Sequence, residues 1–106
     1  MLFRSIYEIS STFPATETYG LTAQMRRAAI SVPANIAEGV GRIGSRDRIQ
    51  FFAIARGSLA ELETFMVLAN ELGYCSGAGN IESALEEVMA LLNGLINAER
   101  RKVPAK

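Results

Sequence analysis

The chain has 106 residues, 49% of them hydrophobic, with eleven basic residues, eleven acidic residues and no histidine. This length suits one domain with a single modest core, and the composition excludes a disordered chain. No apolar run is long enough for a membrane-spanning helix, and the start, MLFRSIYEISS, lacks the apolar core of a signal peptide. We therefore expect no contact with membranes. The lone Cys75 excludes an internal disulfide, which suits the reducing cytoplasm, so we expect a cytoplasmic protein.

Charge is distributed unevenly along this neutral chain. Residues 20–56 carry six arginines against two acidic residues, whereas residues 57–99 carry seven glutamates and no basic residue. Residues 100–106 are basic again. This segregation suits contacts between subunits or a basic surface for nucleic acid, and the alternative is a set of solvated faces.

The first two predicted helices are separated by a proline. Apolar spacing predicts a short first helix over residues 2–13, which Pro14 stops. The second predicted helix covers residues 20–43, with Thr18 or Thr22 as its N-cap.

The second helix has apolar residues on both sides of a polar stripe. At 100° per residue, one apolar face contains Leu21, Met25, Ala28, Val32, Ile36 and Ile43. The stripe contains Gln24, Arg27, Ser31, Asn35, Glu38 and Arg42. The second apolar surface contains mostly small residues, namely Ala23, Ile30, Ala34 and Ala37. Pro33 lies inside the helix, and its small neighbours predict a gentle bend. A helix packed on both sides predicts a closed homo-oligomer, because a monomer would expose a large apolar patch.

The rest of the chain predicts two longer helices. The third covers residues 46–72 with Ser45 as its cap, and the fourth covers residues 80–102 with Asn80 as its cap. Four helices with short links predict an all-α protein, in which residues 1–106 form one antiparallel up-and-down four-helix bundle with a short first helix.

Polar residues on helices two and three predict a structural network rather than a catalytic site. The members are Asn35, Glu38, Arg56, Ser58, Glu61 and Glu63. Di-metal centres in bundles use Glu-x-x-His pairs, and a serine nucleophile needs an adjacent base; this chain contains no histidine. We therefore expect a satisfied network that fixes helix register, with no metal, no cofactor and no enzymatic activity.

Five arginines are candidate contacts to nucleic acid, because guanidinium groups fit phosphate oxygens. They are Arg26, Arg27, Arg42, Arg46 and Arg48. For Arg27 the alternative is a pair with Glu38 or with a carboxylate of helix three. The last three arginines lie in GVGRIGSRDR, beside a helix N-terminus, where the alternative is a solvated turn. Aromatic residues for base stacking are absent from this segment, because the nearby phenylalanines fit the core.

Two motifs resemble a known family. The segment QMRRAAISVPANIAEGVGR, followed by FFAIARGSLAELE, is similar to the signature of the four-helix bundle proteins called 23S rRNA intervening-sequence proteins. FPATETYGLT and the LGY after helix three fit the same pattern, so the resemblance covers residues 13–74 closely. Members of this family usually begin with additional helical turns that carry a tryptophan motif. This chain lacks that motif, which predicts a truncated start or a short first helix.

The resemblance implies a small bacterial protein that assembles as a homopentamer, with no established activity for most members. A distant relative, the accessory protein of diversity-generating retroelements, uses a basic pentamer to bind nucleic acid and a reverse transcriptase. We therefore expect a non-enzymatic, self-assembling bundle with a basic surface for RNA, DNA or a nucleoprotein partner. The alternative is a purely structural or protein-interaction scaffold. Zero net charge counts against strong non-specific DNA binding.

Overall fold

The computed structural model describes residues 2–76 and 79–104, which form four α-helices and a short 3₁₀ turn at Ala15–Glu17. The helices are α1 (Leu2–Ser10), α2 (Leu21–Val40), α3 (Ser45–Glu71) and α4 (Gly79–Arg100). No strand occurs in these ranges, so the predicted all-α bundle with a short first helix is confirmed. Every helix in the described ranges is too short or too polar to traverse a bilayer.

The predicted helices are found, but α1 and α2 each end about three residues earlier than expected. At the end of α1, the hydroxyls of Ser10, Ser11 and Thr12 donate to backbone carbonyls three residues back. Such bonds compete with helix continuation. At the end of α2, glycines follow Val40 and favour termination. Ile43 therefore lies outside the helix and is 97% exposed, so its predicted place on the core face is wrong.

The predicted cap of α2 is also wrong, because a carboxylate rather than a threonine accepts its first N–H. Gly20 occupies the N-cap position, and Oε1 of Glu17 accepts the Leu21 N–H at 3.3 Å. Thr18 instead donates to the Ala15 carbonyl at 2.8 Å. The other oxygen of Glu17 accepts the Tyr74 hydroxyl at 2.8 Å, and this hydrogen bond raises the pKa of the tyrosine.

The caps predicted for α3 and α4 are wrong for a simpler reason, since both residues lie inside their helices. Ser45 is the first residue of α3, behind Gly44, and its hydroxyl donates to another helix. Asn80 is the second residue of α4. Residues 77 and 78, which precede α4, lie outside the described residues.

Successive helices pack side by side and antiparallel in a bundle about 51 Å long. From the start of α2 to its end, contacts move back along α3: Arg27 meets Glu61, Ser31 meets Ser58, and Gly39 meets Phe52. The α2–α3 contact is the most extensive one, and α1 also touches α4. The bundle is therefore closed around one core.

The core combines large apolar side chains with alanines at helix crossings. The largest fully buried apolar residues are Ile6, Met25, Leu59, Leu62, Met66, Leu92 and Ile96. Ala28 and Ala55 are fully buried and allow close helix approach. The predicted core face of α2 is otherwise found, because Met25, Ala28 and Val32 are buried and Leu21 and Ile36 are half-buried.

Candidate interaction surfaces

The α2–α3 seam contains a satisfied set of polar groups. The hydroxyls of Ser31 and Ser58 are 2.8 Å apart, and Ser58 is buried. Nδ2 of Asn35 donates to the Ser31 carbonyl at 2.8 Å and to the Ser31 hydroxyl at 3.0 Å. Across the described ranges, no buried side-chain polar atom lacks a hydrogen-bond partner. The seam therefore fixes helix register without leaving a free reactive group.

The other residues of the predicted network separate into unconnected contacts. Arg27 forms an ion pair with Glu61 at 2.9 Å, which is the alternative expected for it, a pair with a carboxylate of helix three. Glu38 forms an ion pair with Arg42 at 2.8 Å. Arg56 points toward α4, where its Nη1 donates to Oδ1 of Asn93 at 3.1 Å. It therefore contacts neither Glu61 nor Glu63, and Glu63 has no polar partner among the described residues.

Arg26 is held against α1. Its Nε donates to the Ser10 hydroxyl at 2.9 Å, and Nη2 donates to the Tyr7 carbonyl at 3.3 Å. The guanidinium also lies 3.8 Å from the centre of the Tyr7 ring, a cation–π distance. Three contacts to one helix make Arg26 part of the α1–α2 packing.

At the α2–α3 turn, two of the three candidate arginines have intramolecular partners. Arg42 pairs with Glu38 and lies 4.6 Å from the centre of the Phe51 ring. Arg48 donates from Nε to the Arg42 carbonyl at 2.6 Å. Arg46 is exposed, and no described residue forms an ion pair or hydrogen bond with it. Of the five candidate arginines, only Arg46 has a guanidinium group without a hydrogen-bond or ion-pair partner among the described residues.

Glu99, which the sequence analysis does not single out, is the most buried carboxylate in the described ranges, at 7% exposure. It accepts hydrogen bonds from Ser45 at 2.9 Å and Lys102 at 3.1 Å, and Arg48 lies 3.5 Å away. These partners lower the pKa of Glu99 although burial opposes the shift. We call Ser45, Arg48, Glu99 and Lys102 the Glu99 cluster. A sequence signal exists, since Glu99 continues the core-facing spacing of Leu92 and Ile96.

The second apolar surface of α2 faces away from the core. We call Ala23, Ile30, Ala34 and Ala37 the outer ridge. Ala34 and Ala37 are exposed, Ala23 is half-buried, and Ile30 is 52% exposed. On the side of α3 that faces α2, three further large apolar residues are about half exposed, namely Ile54, Leu68 and Leu72. The single chain therefore leaves apolar surface in water along both helices.

The charge segregation of the sequence becomes a segregation along the long axis. The α2–α3 turn and the last turns of α4 form a basic end, with Arg42, Arg46, Arg48, Arg100, Arg101 and Lys102. The second half of α3 and the first half of α4 form an acidic region, with Glu61, Glu63, Glu71, Glu82, Glu86 and Glu87. Antiparallel packing of α3 and α4 produces this polarity.

These features define a small four-helix bundle with a satisfied interior, an exposed apolar ridge and a polarised surface. Among the described residues, no three cysteine, aspartate or glutamate side chains are placed so that they could hold one metal ion. A family model described as 23S rRNA-intervening sequence protein matches residues 1–94. The chain therefore belongs to this family, which confirms the resemblance in its second and third helices. The description of the family names no enzymatic activity. No curated protein matches the chain significantly.

Proposed function

We propose that the protein is a non-enzymatic cytoplasmic scaffold that assembles with copies of itself into a closed ring. The outer ridge of α2 is the observation that supports this proposal, because a helix face directed to water is normally polar. Ile30 is 52% exposed there, between exposed alanines. Five copies is the ring size that the family resemblance implies.

The ridge suits close helix packing between subunits. Alanine side chains let two helices approach to about 8 Å, and Ile30 supplies apolar area. The charged residues beside the ridge, Arg27 and Glu38, already have partners at 2.9 and 2.8 Å within the chain. Their burial in an interface therefore leaves no charge unpaired, which would otherwise be costly.

A ring with five copies needs two different surfaces that fit each other, because its interface is head-to-tail. The outer ridge provides one surface. The exposed residues Ile54, Leu68 and Leu72 of α3 provide a second one. We therefore propose that the ridge of one copy packs on these residues of the next copy.

The test compares two Ala→Glu variants at exposed helix positions. Ala34→Glu places a charge on the ridge, whereas Ala90→Glu places the same charge on α4. We expect light scattering at about 1 M salt, where attraction between exposed charges is screened, to give an oligomer for the wild type and for Ala90→Glu, and a folded monomer for Ala34→Glu. A monomeric wild type at micromolar concentration, or an Ala34→Glu protein of unchanged mass, contradicts the proposal.

Nucleic-acid binding at the basic end is a second candidate function. Its support is the position of Arg100 and Arg101, which α4 brings to the end that carries Arg46. No described residue forms an ion pair with these three arginines. A ring carries several copies of this weak basic patch, and their simultaneous binding would raise the overall affinity for nucleic acid. Binding would be largely independent of base sequence and would weaken as salt rises, because phosphate contacts release counterions.

Nucleic-acid binding is tested by substituting the arginines that have no ion-pair partner among the described residues. Replacing Arg46, Arg100 and Arg101 with Gln removes them, whereas replacing Arg48 would also disturb the Glu99 cluster. We expect the triple variant to lose RNA and DNA retention between about 50 and 200 mM salt. Arg4→Gln, at an exposed arginine of α1, is the control. If the wild type is not retained at about 50 mM salt, the scaffold function alone stands.

A further inference from the structure

The face formed by α3 and α4 carries two depressions of opposite charge. The acidic depression lies between the second half of α3 and the first half of α4 and has a volume of about 220 Å³. Its lining consists of three apolar residues and three carboxylates: Met66, Val67, Leu85, Glu63, Glu82 and Glu86. None of these carboxylates has an ion-pair partner among the described residues.

The basic depression lies at the other end of the same face and has a volume of about 520 Å³. Arg46 and Arg100 flank it, and Ile49 and Val103 contribute its apolar part. Asp47 also lines it and offsets part of the positive charge. Arg46 and Arg100 have no ion-pair partner in the described ranges, so both charges are directed only to solvent.

The two depressions lie at opposite ends of one face, with a hydrogen-bonded arginine between them. Along α3, Ile49 and Met66 are separated by about 25 Å at 1.5 Å per residue. Arg56 lies near the midpoint, where it is hydrogen-bonded to Asn93 of α4. A two-fold axis at this midpoint places the basic depression of one copy over the acidic depression of another, and does so twice.

We propose that two copies of the chain pair antiparallel through their α3–α4 faces. Each copy supplies one basic and one acidic depression, so the interface is self-complementary. The 27 residues of α3 give a face about 40 Å long, and two adjacent helices make it about 20 Å wide. Such a face offers about 800 Å² per copy, the size of a standard specific interface.

This pairing goes beyond the assembly proposed above and uses other residues. Arg56 on one side of α3 contacts α4, whereas Ser58 and Glu61 contact α2. The α3–α4 face and the outer ridge are therefore separate surfaces. When a two-fold axis relates two whole units, pairing doubles the mass of the unit that the outer ridge forms, whether that unit is one chain or a ring. The success or failure of the pairing is therefore independent of the ridge.

The experiment uses charge reversal and a mixture. One variant carries Glu63→Lys, Glu82→Lys and Glu86→Lys, and the other carries Arg46→Glu and Arg100→Glu. We expect light scattering at low salt to give each variant half the mass of the wild type, because like charges then face each other. An equal mixture should recover the full mass, since basic depressions of one variant meet acidic depressions of the other.

Salt and a matched charge variant complete the test. Raising the salt to about 1 M should halve the wild-type mass, because screening removes attraction between exposed charges. Arg56→Gln removes a basic charge midway along the face and should leave the mass unchanged, which distinguishes complementarity from net charge. Three results overturn the proposal: a mass insensitive to salt, a mixture that fails to recover, or an Arg46/Arg100 variant that loses RNA retention while keeping the wild-type mass.

Discussion

At the scale of single residues, two buried polar groups join neighbouring helices. The Ser31–Ser58 hydroxyl pair connects α2 to α3, and the Glu99 carboxylate connects α4 to the start of α3. Both groups have hydrogen-bond partners, as buried polar atoms in proteins generally do. Each can be removed by a substitution that preserves side-chain size.

The serine pair should behave as a coupled unit. Ser31→Ala and Ser58→Ala each remove one hydroxyl and leave the other with fewer partners, so each should lower the free energy of unfolding by about 1 kcal/mol. The double variant should lose less than the sum of the two, as measured by urea unfolding. Thr64→Ala, at an exposed hydroxyl of α3, should change stability by less than about 0.5 kcal/mol. Strictly additive losses would show that the pair is not coupled.

The Glu99 cluster should make stability dependent on acid pH. Hydrogen bonds from Lys102 and Ser45 lower the pKa of Glu99 below its ordinary 4.5. The stabilisation is therefore fully present above about pH 4.5 and is lost as pH falls through the lowered value. Glu99→Gln should reduce the midpoint of thermal unfolding at pH 7 and should flatten the acid limb of the stability profile. Glu87→Gln, an exposed carboxylate, should leave both unchanged. An unaltered acid limb in Glu99→Gln contradicts this assignment.

Residue-level contacts between helices could be predicted only in part. A pair between Arg27 and a helix-three carboxylate is one of the alternatives expected from the sequence, because a half-buried charge needs a partner. Arg26 and Arg48 are candidate nucleic-acid contacts in the sequence, whereas Tyr7, Ser10 and Glu99 hold them in the structure. Those partners belong to other helices, and the spacing within one helix does not determine how it rotates against its neighbours.

At the scale of elements, α3 packs tightly against α2 at Gly39. A Cβ atom at this position would lie 2.6 Å from Cε1 of Phe52, and Phe52 is itself buried. Helix periodicity predicts the four elements within about three residues at each end, but the packing of the Phe52 ring against Gly39 depends on the arrangement of two helices, which the periodicity does not encode.

Two glycine substitutions separate packing from helix propensity. Gly39→Ala should lower the free energy of unfolding by about 1–3 kcal/mol, because the clash with Phe52 outweighs the better helix propensity of alanine. Gly57→Ala, in the interior of α3, meets open space and should raise it by about 0.5–1 kcal/mol. Chemical denaturation of both variants checks the pair. Stabilisation by Gly39→Ala would mean that Phe52 can move aside.

At the scale of the whole molecule, one chain combines an exposed apolar ridge with a polarised surface. The ridge favours association through burial of apolar area, whereas the α3–α4 face favours it through complementary charge. The bundle and its antiparallel order could be predicted from the sequence. Assembly was predicted from the two apolar surfaces of α2, and the alignment of the two depressions on one face emerges only when α3 and α4 are packed together.

Assembly should appear in thermal unfolding as a dependence on protein concentration. Association of folded chains stabilises them by mass action, so the unfolding midpoint should rise over a hundredfold increase in concentration. Calorimetry at about 1 M salt, where the charge-based pairing of α3–α4 faces is screened, should show this rise for the wild type and for Ala90→Glu. Under the same conditions, Ala34→Glu should unfold at a midpoint that does not depend on concentration. A concentration-independent wild type would show that folding is complete in the single chain.

The Glu99 cluster also joins residues that are synthesised at different times. α2 and α3 are consecutive and make the most extensive helix contact, so their hairpin can close early at low cost in loop entropy. Ser45, beside the turn of that hairpin, meets its carboxylate 54 residues later in the chain. A nascent α2–α3 hairpin therefore lacks the contact between Ser45 and Glu99 until α4 has been synthesised.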